Sequence, residues 1–248
     1  MLSFLIKTIL FKETIQNGLD IHNHILPGID DGAKNIDESL ILIKGLQSLN
    51  IISSYATPHI MAGFYENNQE SIWNSMQRLS QDSNYQDLNF PIYPSAEYML
   101  DDNFLKNIHK TNLKSLMLKQ HNYILVEMSY AYESPRFEDI LFKMQTSGLN
   151  PIMAHPERYN YWNIDHDIES LRSRNIHFQL NALSLSDYYG SAVQKKAIRW
   201  LKKGYYSFIG TDLHHTKHLN ALQNLQISKK IAPLVEELWN NNKKLLAK

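Results

Sequence analysis

The sequence contains no cysteine among its 248 residues. This absence excludes disulfide bonds, thiolate zinc sites, iron–sulfur clusters and any mechanism that uses a cysteine nucleophile. A metal site in this chain must therefore be built from nitrogen and oxygen ligands, such as the side chains of histidine, aspartate and glutamate. The lack of cysteine also agrees with a cytoplasmic location, which we expect, because disulfides are rare in reducing compartments.

An excess of charge of either sign is also missing. Lysine and arginine total 25, aspartate and glutamate total 25, and no dense basic run occurs. A nucleic-acid partner is therefore not expected, because binding a polyanion needs a concentrated positive surface. No predicted strand is followed by a Gly-x-Gly-x-x-Gly or phosphate-loop motif, which disfavours nucleotide-binding folds.

Long apolar runs are absent too. Residues 1–11 are mostly apolar, but Ser3, Lys7 and Thr8 interrupt them, and the run is far shorter than the roughly 20 residues that span a bilayer. Leu2, Leu5, Ile6, Ile9 and Leu10 have helical spacing, which predicts an amphipathic helix that covers the barrel or a partner. Residues 1–17 are therefore predicted to be an amphipathic N-terminal extension. Peripheral membrane contact is the alternative, and no transmembrane segment is predicted.

Strand and helix patterns alternate along the rest of the sequence. Predicted strands cover 19–25, 51–57, 90–97, 123–128, 151–155, 176–181 and 205–211, and predicted helices cover 36–49, 68–82, 101–109, 135–147, 165–173, 190–203, 216–228 and 232–246. This alternation indicates βα units around a parallel sheet, and about seven units favour a closed α/β barrel over an open sheet. We expect a single domain over residues 18–248.

The stretch at 19–32 carries the clearest chemical signal. Asp20, His22 and His24 alternate with apolar residues, so on a β-strand all three side chains point to one face. Two imidazoles at this spacing can bind one divalent cation, and Asp20 is placed to orient a histidine by accepting its other ring N–H. Asp30 and Asp31 follow in a turn that returns over the strand end. Taken alone, the stretch is also compatible with an ordinary polar-edged strand.

Further side chains of metal-ligand type occur at the carboxyl ends of the other predicted strands, where parallel barrels build their sites. They are His59, Glu97, Glu127, His155, Asp212 and His214, while the sixth strand ends at Asn181. Considered singly, each has an ordinary explanation, such as a turn residue or a buried hydrogen-bonded side chain. Together with His22 and His24 they predict a metal cluster, because burying so many charged groups without a cation is costly.

Seven short motifs carry a family resemblance: Asp-Ile-His-Asn-His at 20–24, Asp-Asp-Gly at 30–32, Ala-Thr-Pro-His at 56–59, Ala-Glu-Tyr at 96–98, Val-Glu-Met at 126–128, Ala-His-Pro-Glu-Arg-Tyr at 154–159 and Thr-Asp-Leu-His at 211–214. Together they resemble the polymerase-and-histidinol-phosphatase (PHP) superfamily. Within it they are most similar to the bacterial CpsB-type, manganese-dependent protein tyrosine phosphatases linked to capsule and exopolysaccharide synthesis. The resemblance implies a distorted (β/α)7 TIM-like barrel, the PHP fold.

The resemblance also implies three divalent metal ions. Manganese is expected, with iron, zinc, cobalt or magnesium as alternatives. The implied ligands are His22, His24 and Asp212 for the first metal, with Glu97 as a bridge to the second, then Glu127 and His155 for the second, and Asp31, His59 and His214 for the third.

Two catalytic residues are predicted beside the metal ligands, namely Arg158 and Asp20. Arg158 matches a family arginine that contacts the substrate phosphate. A second arginine, which the family pattern places after the last motif, is missing here. Lys217 and His218 are the candidate substitutes for it.

These features predict hydrolysis of phosphotyrosine in proteins by a metal-bound hydroxide, in the control of capsular or exopolysaccharide synthesis. The resemblance implies a capsule-linked bacterial tyrosine kinase as the substrate protein. Tyrosinate, with a parent pKa of about 10, departs without strong acid assistance, so a metal-rich site suits aryl phosphates. Phe64, Tyr65, Tyr98 and Tyr130 are candidates for a slot around the phenol ring, with core or rim packing as the alternative.

Three other functions fit parts of the pattern. A small-molecule phosphatase, such as histidinol-phosphate phosphatase, would use the same metals on a different leaving group. A polymerase-associated 3′-exonuclease is disfavoured by the zero net charge and the missing basic groove. A metal-binding scaffold without catalysis is disfavoured because the ligand set is complete.

Overall fold

A computed structural model of the chain describes residues 7–108, 115–118, 122–162 and 165–246. Its strands are β1 (Thr8–Leu10), β2 (Gly18–Asp20), β3 (Ile51–Ala56), β4 (His59–Ile60), β5 (Ile92–Pro94), β6 (Glu97–Met99), β7 (Tyr123–Glu127), β8 (Asn150–Ala154), β9 (His177–Asn181), β10 (Phe208–Gly210) and β11 (Gln226–Ser228). Its α-helices are α1 (Ile36–Ser48), α2 (Gln69–Ser80), α3 (Ser83–Asp87), α4 (Asp102–Asn107), α5 (Phe137–Thr146), α6 (Asp165–Ser173), α7 (Ser191–Lys202), α8 (Thr216–Asn224) and α9 (Ala232–Lys243). Within these described ranges, no helix has the length and apolarity needed to cross a bilayer.

The strands form an α/β barrel of the TIM-like type, as the sequence predicts. One parallel ladder has the order β10-β9-β8-β7-β6-β4, and a second has the order β2-β3-β5. Because β3 continues into β4 and β5 continues into β6, the two ladders share these bent strands, and seven strand positions surround the barrel axis. The strand ladder itself does not run unbroken around the barrel, which accounts for the distortion.

Prolines explain where the ladder breaks. Pro58 separates β3 from β4, and Pro94 ends β5, and neither residue has an N–H to donate to a neighbouring strand. Single backbone hydrogen bonds bridge this region, with the Glu97 N–H donating to the Pro58 oxygen at 3.1 Å. On the other side of the barrel, the Asp212 N–H donates to the His22 oxygen at 2.8 Å. That bond ties the exit of β10 to the exit of β2.

Alternate residues of each barrel strand face opposite sides of the wall. Leu125 of β7 packs with Ile152 and Phe208 in a cluster made mainly of strand residues. Its neighbours Ile124 and Val126 pack in the larger cluster, which includes helix residues. Apolar side chains therefore fill the inner face below the level at which the predicted metal ligands begin.

The N-terminal amphipathic helix does not form in the part of the segment that the structure describes, so that prediction is wrong there. Residues 8–10 form β1, which pairs antiparallel with β11, and Phe11–Thr14 form a short 3-10 helix. The predicted helix over 216–228 ends at Asn224 for the same reason, because residues 226–228 are the partner strand. Backbone pairing between distant segments has overridden the local helical spacing. Residues 1–6 lie outside the described residues.

Candidate metal centre

Glu97 lies at the middle of the converging side chains, and it is fully buried. Its Oε2 atom is 3.2 Å from His22 Nε2 and 3.1 Å from His59 Nδ1, and its Oε1 atom is 3.2 Å from His155 Nε2. Within the described residues, neither oxygen of Glu97 has a hydrogen bond of good geometry. His24 Nε2 also lies 3.5 Å from Glu97 Oε2. Glu97 is therefore a buried carboxylate surrounded by four imidazoles, with both oxygens available as ligands.

All nine predicted ligand residues belong to this cluster. Four overlapping groups each offer ligand atoms that lie within 4.8 Å of one another: His24, Asp31, His59 and His214; His22, His155 and Asp212; His22, His24 and Glu97; and His59, Glu97 and Glu127. The groups share members, so the ligand atoms form one continuous centre at the carboxyl end of the barrel strands.

Hydrogen bonds fix the orientation of the histidine rings. The Nδ1 atom of His22 lies 2.8 Å from Gln179 Oε1, and that of His24 lies 2.7 Å from Asp30 Oδ2. The His214 Nδ1 atom lies 2.9 Å from the backbone oxygen of Asp212. In each case an acceptor for an Nδ1 proton leaves Nε2 as the free lone pair, which is how ligand histidines are usually held.

Gln179 and Asp30 were not predicted as site residues. Asp30 stands beside the predicted Asp31 in the same turn, so its residue type was a visible signal. Gln179 is a buried polar residue inside β9, two positions before Asn181 and therefore on the same side of the strand. That inward register was the only signal for it in the sequence.

Asp20 does not orient a histidine ring, contrary to the prediction. Its carboxylate accepts hydrogen bonds from Thr211 Oγ1 at 2.6 Å, from the Thr211 N–H at 3.0 Å and from Asn23 Nδ2 at 2.8 Å. The strand β2 ends at Asp20, so the alternation of side chains does not continue through residues 22 and 24. Asp20 instead ties the chain after β2 to the chain after β10.

The pKa values follow from how the acids and imidazoles are paired. Burial lowers the pKa of His24, but the Asp30 carboxylate raises it more, to about 10. Burial likewise lowers the pKa of His59, while Glu97 and Glu127 raise it to about 12. Burial raises the pKa of Glu97, yet His22 and His59 hold it well below its ordinary value. The carboxylates of the centre thus strongly stabilise positive charge, whether on imidazoles or as bound cations.

Two glycines let the chain approach these histidines closely. A Cβ atom on Gly32 would lie 1.9 Å from the backbone oxygen of His24, so only glycine allows the turn carrying Asp31 to fold back there. A Cβ atom on Gly210 would lie 2.6 Å from the Cβ atom of His22. Both positions set how tightly the ligand loops pack.

Arg158 lies beside the centre and is held on three sides. Its Nη1 atom donates to Asp212 Oδ2 at 2.8 Å, and its guanidinium carbon lies 4.3 Å from the Tyr130 ring centre and 4.2 Å from the Tyr189 ring centre. Its side chain is 18% exposed. The two rings and the carboxylate fix the guanidinium plane at the wall of a cavity of about 630 Å³ that also contains Asp31, His59 and Glu127.

A family model described as capsular polysaccharide synthesis, CpsB/CapC, matches residues 18–243. The chain belongs to the CpsB/CapC family. The resemblance to CpsB-type proteins inferred from the motifs is therefore confirmed.

Relatives cover most of this CpsB/CapC chain. CapC of Staphylococcus aureus is 31% identical over 224 residues, which are 89% of this chain and 86% of CapC. The tyrosine-protein phosphatase YwqE of Bacillus subtilis is 26% identical over 209 residues, which are 82% of this chain and 79% of YwqE. The tyrosine-protein phosphatase CpsB of Streptococcus agalactiae is 24% identical over 204 residues, covering 79% of this chain and 83% of that protein.

Solved structures support the fold. A structure from a study of YwqE of Bacillus subtilis and CpsB of Streptococcus pneumoniae, described as metal-dependent tyrosine phosphatases, matches with a TM-score of 0.78 and 24% identity. The match covers 92% of this chain and 94% of that chain. A phosphotriesterase homology protein from Escherichia coli matches with a TM-score of 0.51 and 11% identity, over 92% of this chain and 98% of that chain.

The grouping of ligands in this CpsB/CapC chain differs in detail from the implied three-metal scheme. The His59 ring faces two ways, with Nδ1 2.8 Å from Glu127 Oε1 and Nε2 3.5 Å from Asp31 Oδ1. His155 lies with His22 and Asp212 in one group, although it also approaches Glu97. The assignment of each ligand to one of three metals stays a prediction.

The candidate substitutes for a second arginine behave differently from each other. His218 lines the cavity, whereas Lys217 is exposed and does not. Burial, together with the charge of His215, lowers the pKa of His218 to about 4, so it is neutral at pH 7. Among the described residues, Arg158 is the only lysine or arginine that lines the cavity.

Three of the four aromatic candidates lie at the cavity. Phe64, Tyr65 and Tyr130 line it, and the Tyr65 ring stacks on His59 with ring centres 5.4 Å apart. Tyr98 is buried and packs against Phe104, so its ring belongs to the core.

Proposed function

We propose that this chain is a metal-dependent phosphatase that hydrolyses phosphotyrosine in proteins. The observation that carries the proposal is the buried carboxylate of Glu97, which has imidazole nitrogens around it and no hydrogen bond of good geometry. Such a group is costly in a folded protein unless a cation binds there. The names of YwqE and CpsB, both tyrosine-protein phosphatases, support the same activity for this chain.

The donor set fits divalent metal ions. It combines imidazole nitrogens with carboxylate oxygens and contains no sulfur, which suits manganese, iron, zinc or cobalt, and also magnesium at the oxygen-rich positions. Glu127 Oε1 and the Nδ1 atoms of His59 and His155 are further buried polar atoms without a hydrogen bond of good geometry within the described residues, although His59 Nδ1 and Glu127 Oε1 lie 2.8 Å apart. We propose three ions, most readily Mn2+, held by His22, His24, Asp31, His59, Glu97, Glu127, His155, Asp212 and His214.

Bound divalent cations would neutralise the phosphoryl oxygens and lower the pKa of coordinated water from about 15.7 towards about 7. The protein itself would bind and orient the phosphate through Arg158. The Nη1 atom of Arg158 is engaged by Asp212, so the remaining N–H groups of the planar fork are the ones available to phosphoryl oxygens. Stacking on Tyr130 and Tyr189 would keep the fork in that orientation without occupying its donors.

The protonation states of the two aspartates at the cavity decide whether they can protonate the leaving group. Burial raises the pKa of Asp31, but its hydrogen bond to His214 and the charge of that histidine lower it more, to about 2. Burial raises the pKa of Asp212 as well, and His22 and His214 lower it below its ordinary value. Both acids stay ionised at neutral pH and cannot protonate a leaving oxygen. A phenolate departs unaided more easily than an alkoxide, so the site is compatible with an aryl phosphate as substrate.

The family description supports a role in capsular polysaccharide synthesis. We propose that the substrate is a phosphotyrosine protein of that process, with a capsule-linked tyrosine kinase as the implied partner. The proposed place of action is the cytoplasm, because the tyrosine residues of such a kinase are phosphorylated on the side where ATP is present.

The test compares substrates before and after metal removal. The purified chain should hydrolyse a phosphotyrosine peptide, lose that activity after exhaustive chelation and regain it with Mn2+. Histidinol phosphate and a phosphoserine peptide serve as controls, and both should be poor substrates because their leaving groups are alkoxides. Full activity of the chelated chain, or faster turnover of histidinol phosphate than of the phosphotyrosine peptide, would overturn the proposal.

A further inference from the structure

Two large aromatic side chains stand in solvent at the mouth of the cavity. Phe64 is 78% exposed and Tyr132 is 65% exposed, and both line the cavity that contains Arg158. Burying a large aromatic side chain is favourable, and neither residue obtains that stabilisation within the described structure. The ligand residues, by contrast, lie deeper, since Glu97 and His155 are buried.

Phe64 is held in a defined position rather than on a long loose loop. It lies in a turn over residues 61–65, in which the Met61 and Tyr65 backbones exchange hydrogen bonds of 3.0 and 2.9 Å. Gly63 has a φ of +79° at the tip, and its N–H donates to Glu66. The Ala62 N–H donates to Asp101 Oδ2 at 3.2 Å, which anchors the turn to the loop after β6.

The segment that carries Tyr132 is anchored in a similar way. The Tyr161 hydroxyl donates to the Ser129 oxygen at 2.9 Å, and Trp162 Nε1 donates to Glu133 Oε2 at 2.6 Å. A backbone that is already fixed lowers the conformational entropy that this chain itself would lose when a partner binds these residues. The backbone positions of both aromatic residues are therefore fixed before a partner binds.

The two aromatic residues come from loops on either side of one strand. Phe64 follows β4 and Tyr132 follows β7, and the order of the ladder places β6 between β4 and β7. Met99, at the end of β6, lines the same cavity. The side chains of Phe64, Met99 and Tyr132 thus form a row across the mouth. Aromatic and methionine side chains can contact apolar groups of varied shape.

The charges near the mouth are mostly acidic. Apart from Arg158, none of the described lysines and arginines lines the cavity, whereas Asp101, which is not among the proposed metal ligands, does. Glu66 and Glu133 lie in the two anchored segments beside Phe64 and Tyr132. A partner with acidic residues next to its phosphate would be repelled here, while a neutral or basic partner with apolar side chains would be complementary.

We propose that Phe64 and Tyr132 are specificity-determining residues that contact the polypeptide next to the phosphotyrosine, and that they favour apolar, non-acidic neighbours. This inference rests on the proposed phosphatase function and extends it to the substrate sequence. A small aryl phosphate reaches the metal centre and Arg158 without extending to the mouth. A peptide substrate also covers the two aromatic side chains.

The experiment compares kcat/KM for a phosphotyrosine peptide with leucine and alanine flanks against kcat/KM for p-nitrophenyl phosphate. In Phe64→Ala and in Tyr132→Ala the ratio of the two values should fall by about tenfold, the factor that corresponds to roughly 1.4 kcal/mol of lost contact. Tyr132→Phe should keep the ratio, because it keeps the ring. The matched control is Phe142→Ala, since Phe142 is 66% exposed on α5 and does not line the cavity.

A second peptide with glutamate flanks tests the charge argument, and the unmodified chain should process it more slowly than the leucine and alanine peptide. The inference is overturned if both alanine variants keep the ratio of the unmodified chain, or if the glutamate peptide is the better substrate. It is equally overturned if Phe142→Ala lowers the ratio as much as Phe64→Ala does. Failure of the proposed function gives a different result, namely no metal-dependent turnover of either substrate by the unmodified chain.

Discussion

Replacing Arg158 by methionine should remove a phosphate contact while largely keeping the volume of the side chain. The guanidinium donates to Asp212 at 2.8 Å and lies between two tyrosine rings at 4.2 and 4.3 Å. Methionine can occupy the space between Tyr130 and Tyr189, because its flexible thioether packs well on aromatic rings. The change therefore removes the charge and the hydrogen-bond donors with little change in packing.

The expected loss follows from the donors that remain free. One donor of Arg158 is engaged by Asp212, and two of the others can reach phosphoryl oxygens as a bidentate pair. Each charge-assisted hydrogen bond contributes about 1.5–3 kcal/mol, so two of them contribute roughly 3–6 kcal/mol. The value of kcat/KM should therefore fall by roughly 10²–10⁴. Arg158→Lys keeps a point charge without the planar fork, so its kcat/KM should lie between that of the unmodified chain and that of Arg158→Met.

The assay measures kcat/KM for p-nitrophenyl phosphate and the inhibition constant of inorganic phosphate, with the metal concentration fixed. Arg158→Met should weaken phosphate inhibition together with turnover. Arg136→Met is the matched control, because Arg136 also pairs with a carboxylate, Asp139 at 2.9 Å, but does not line the cavity. If Arg158→Met retains both the turnover and the phosphate inhibition of the unmodified chain, the role assigned to this guanidinium is wrong.

Three further predictions concern stability. Adding Mn2+ at about a hundred times its Kd to the metal-stripped chain should raise the unfolding free energy by about 2.7 kcal/mol, which is roughly 5–10 °C in melting temperature. Glu97→Ala should reduce that shift. Equal melting temperatures with and without Mn2+ would contradict the prediction. Asp20→Asn should cost about 2–4 kcal/mol in urea unfolding, because an amide N–H2 would face the donors of Thr211, and unchanged stability would contradict this. Burial lowers the pKa of Lys196 from 10.5 to about 8. Between these two values the unfolded chain binds more protons than the folded chain, so the unfolding free energy should increase as pH rises from 8 to 10.5. The unfolding free energy of the unmodified chain minus that of Lys196→Met should therefore rise over that range. A constant value of this difference would contradict the prediction.

Residue types near the strand ends were sufficient to predict that a cluster of histidine, aspartate and glutamate side chains would form. A strand of a parallel barrel delivers its last inward side chain to one common edge, so a histidine or acid at that position can be located from the alternation of strands and helices alone. Glu127 and His155 follow this rule at the ends of β7 and β8. His59 and Glu97 are instead the first residues of β4 and β6, just after the bends in their strands, and the structure brings all four side chains together. The barrel itself follows from the same alternation, because parallel strands need crossover helices.

The parts that sequence reasoning missed depend on contacts between distant residues. Gln179 holds the ring of His22 across 157 positions of sequence, and Asp20 binds Thr211 across 191. No local sequence pattern identifies such a pair, because the two residues come into contact only in the folded chain. The same holds for β1, whose antiparallel partner β11 is formed near the other end of the chain.

The sequence by itself therefore determined which chemistry this protein has, since ligand type, strand register and motif spacing are local properties. Only the tertiary structure decided how the side chains that carry this chemistry are oriented. The ring orientations of the histidines, the stacking of Arg158 between Tyr130 and Tyr189, and the exposure of Phe64 are set by packing between loops that leave different strands. The fold brings these loops together at one end of the strands, and their packing depends on side chains that are far apart in the chain.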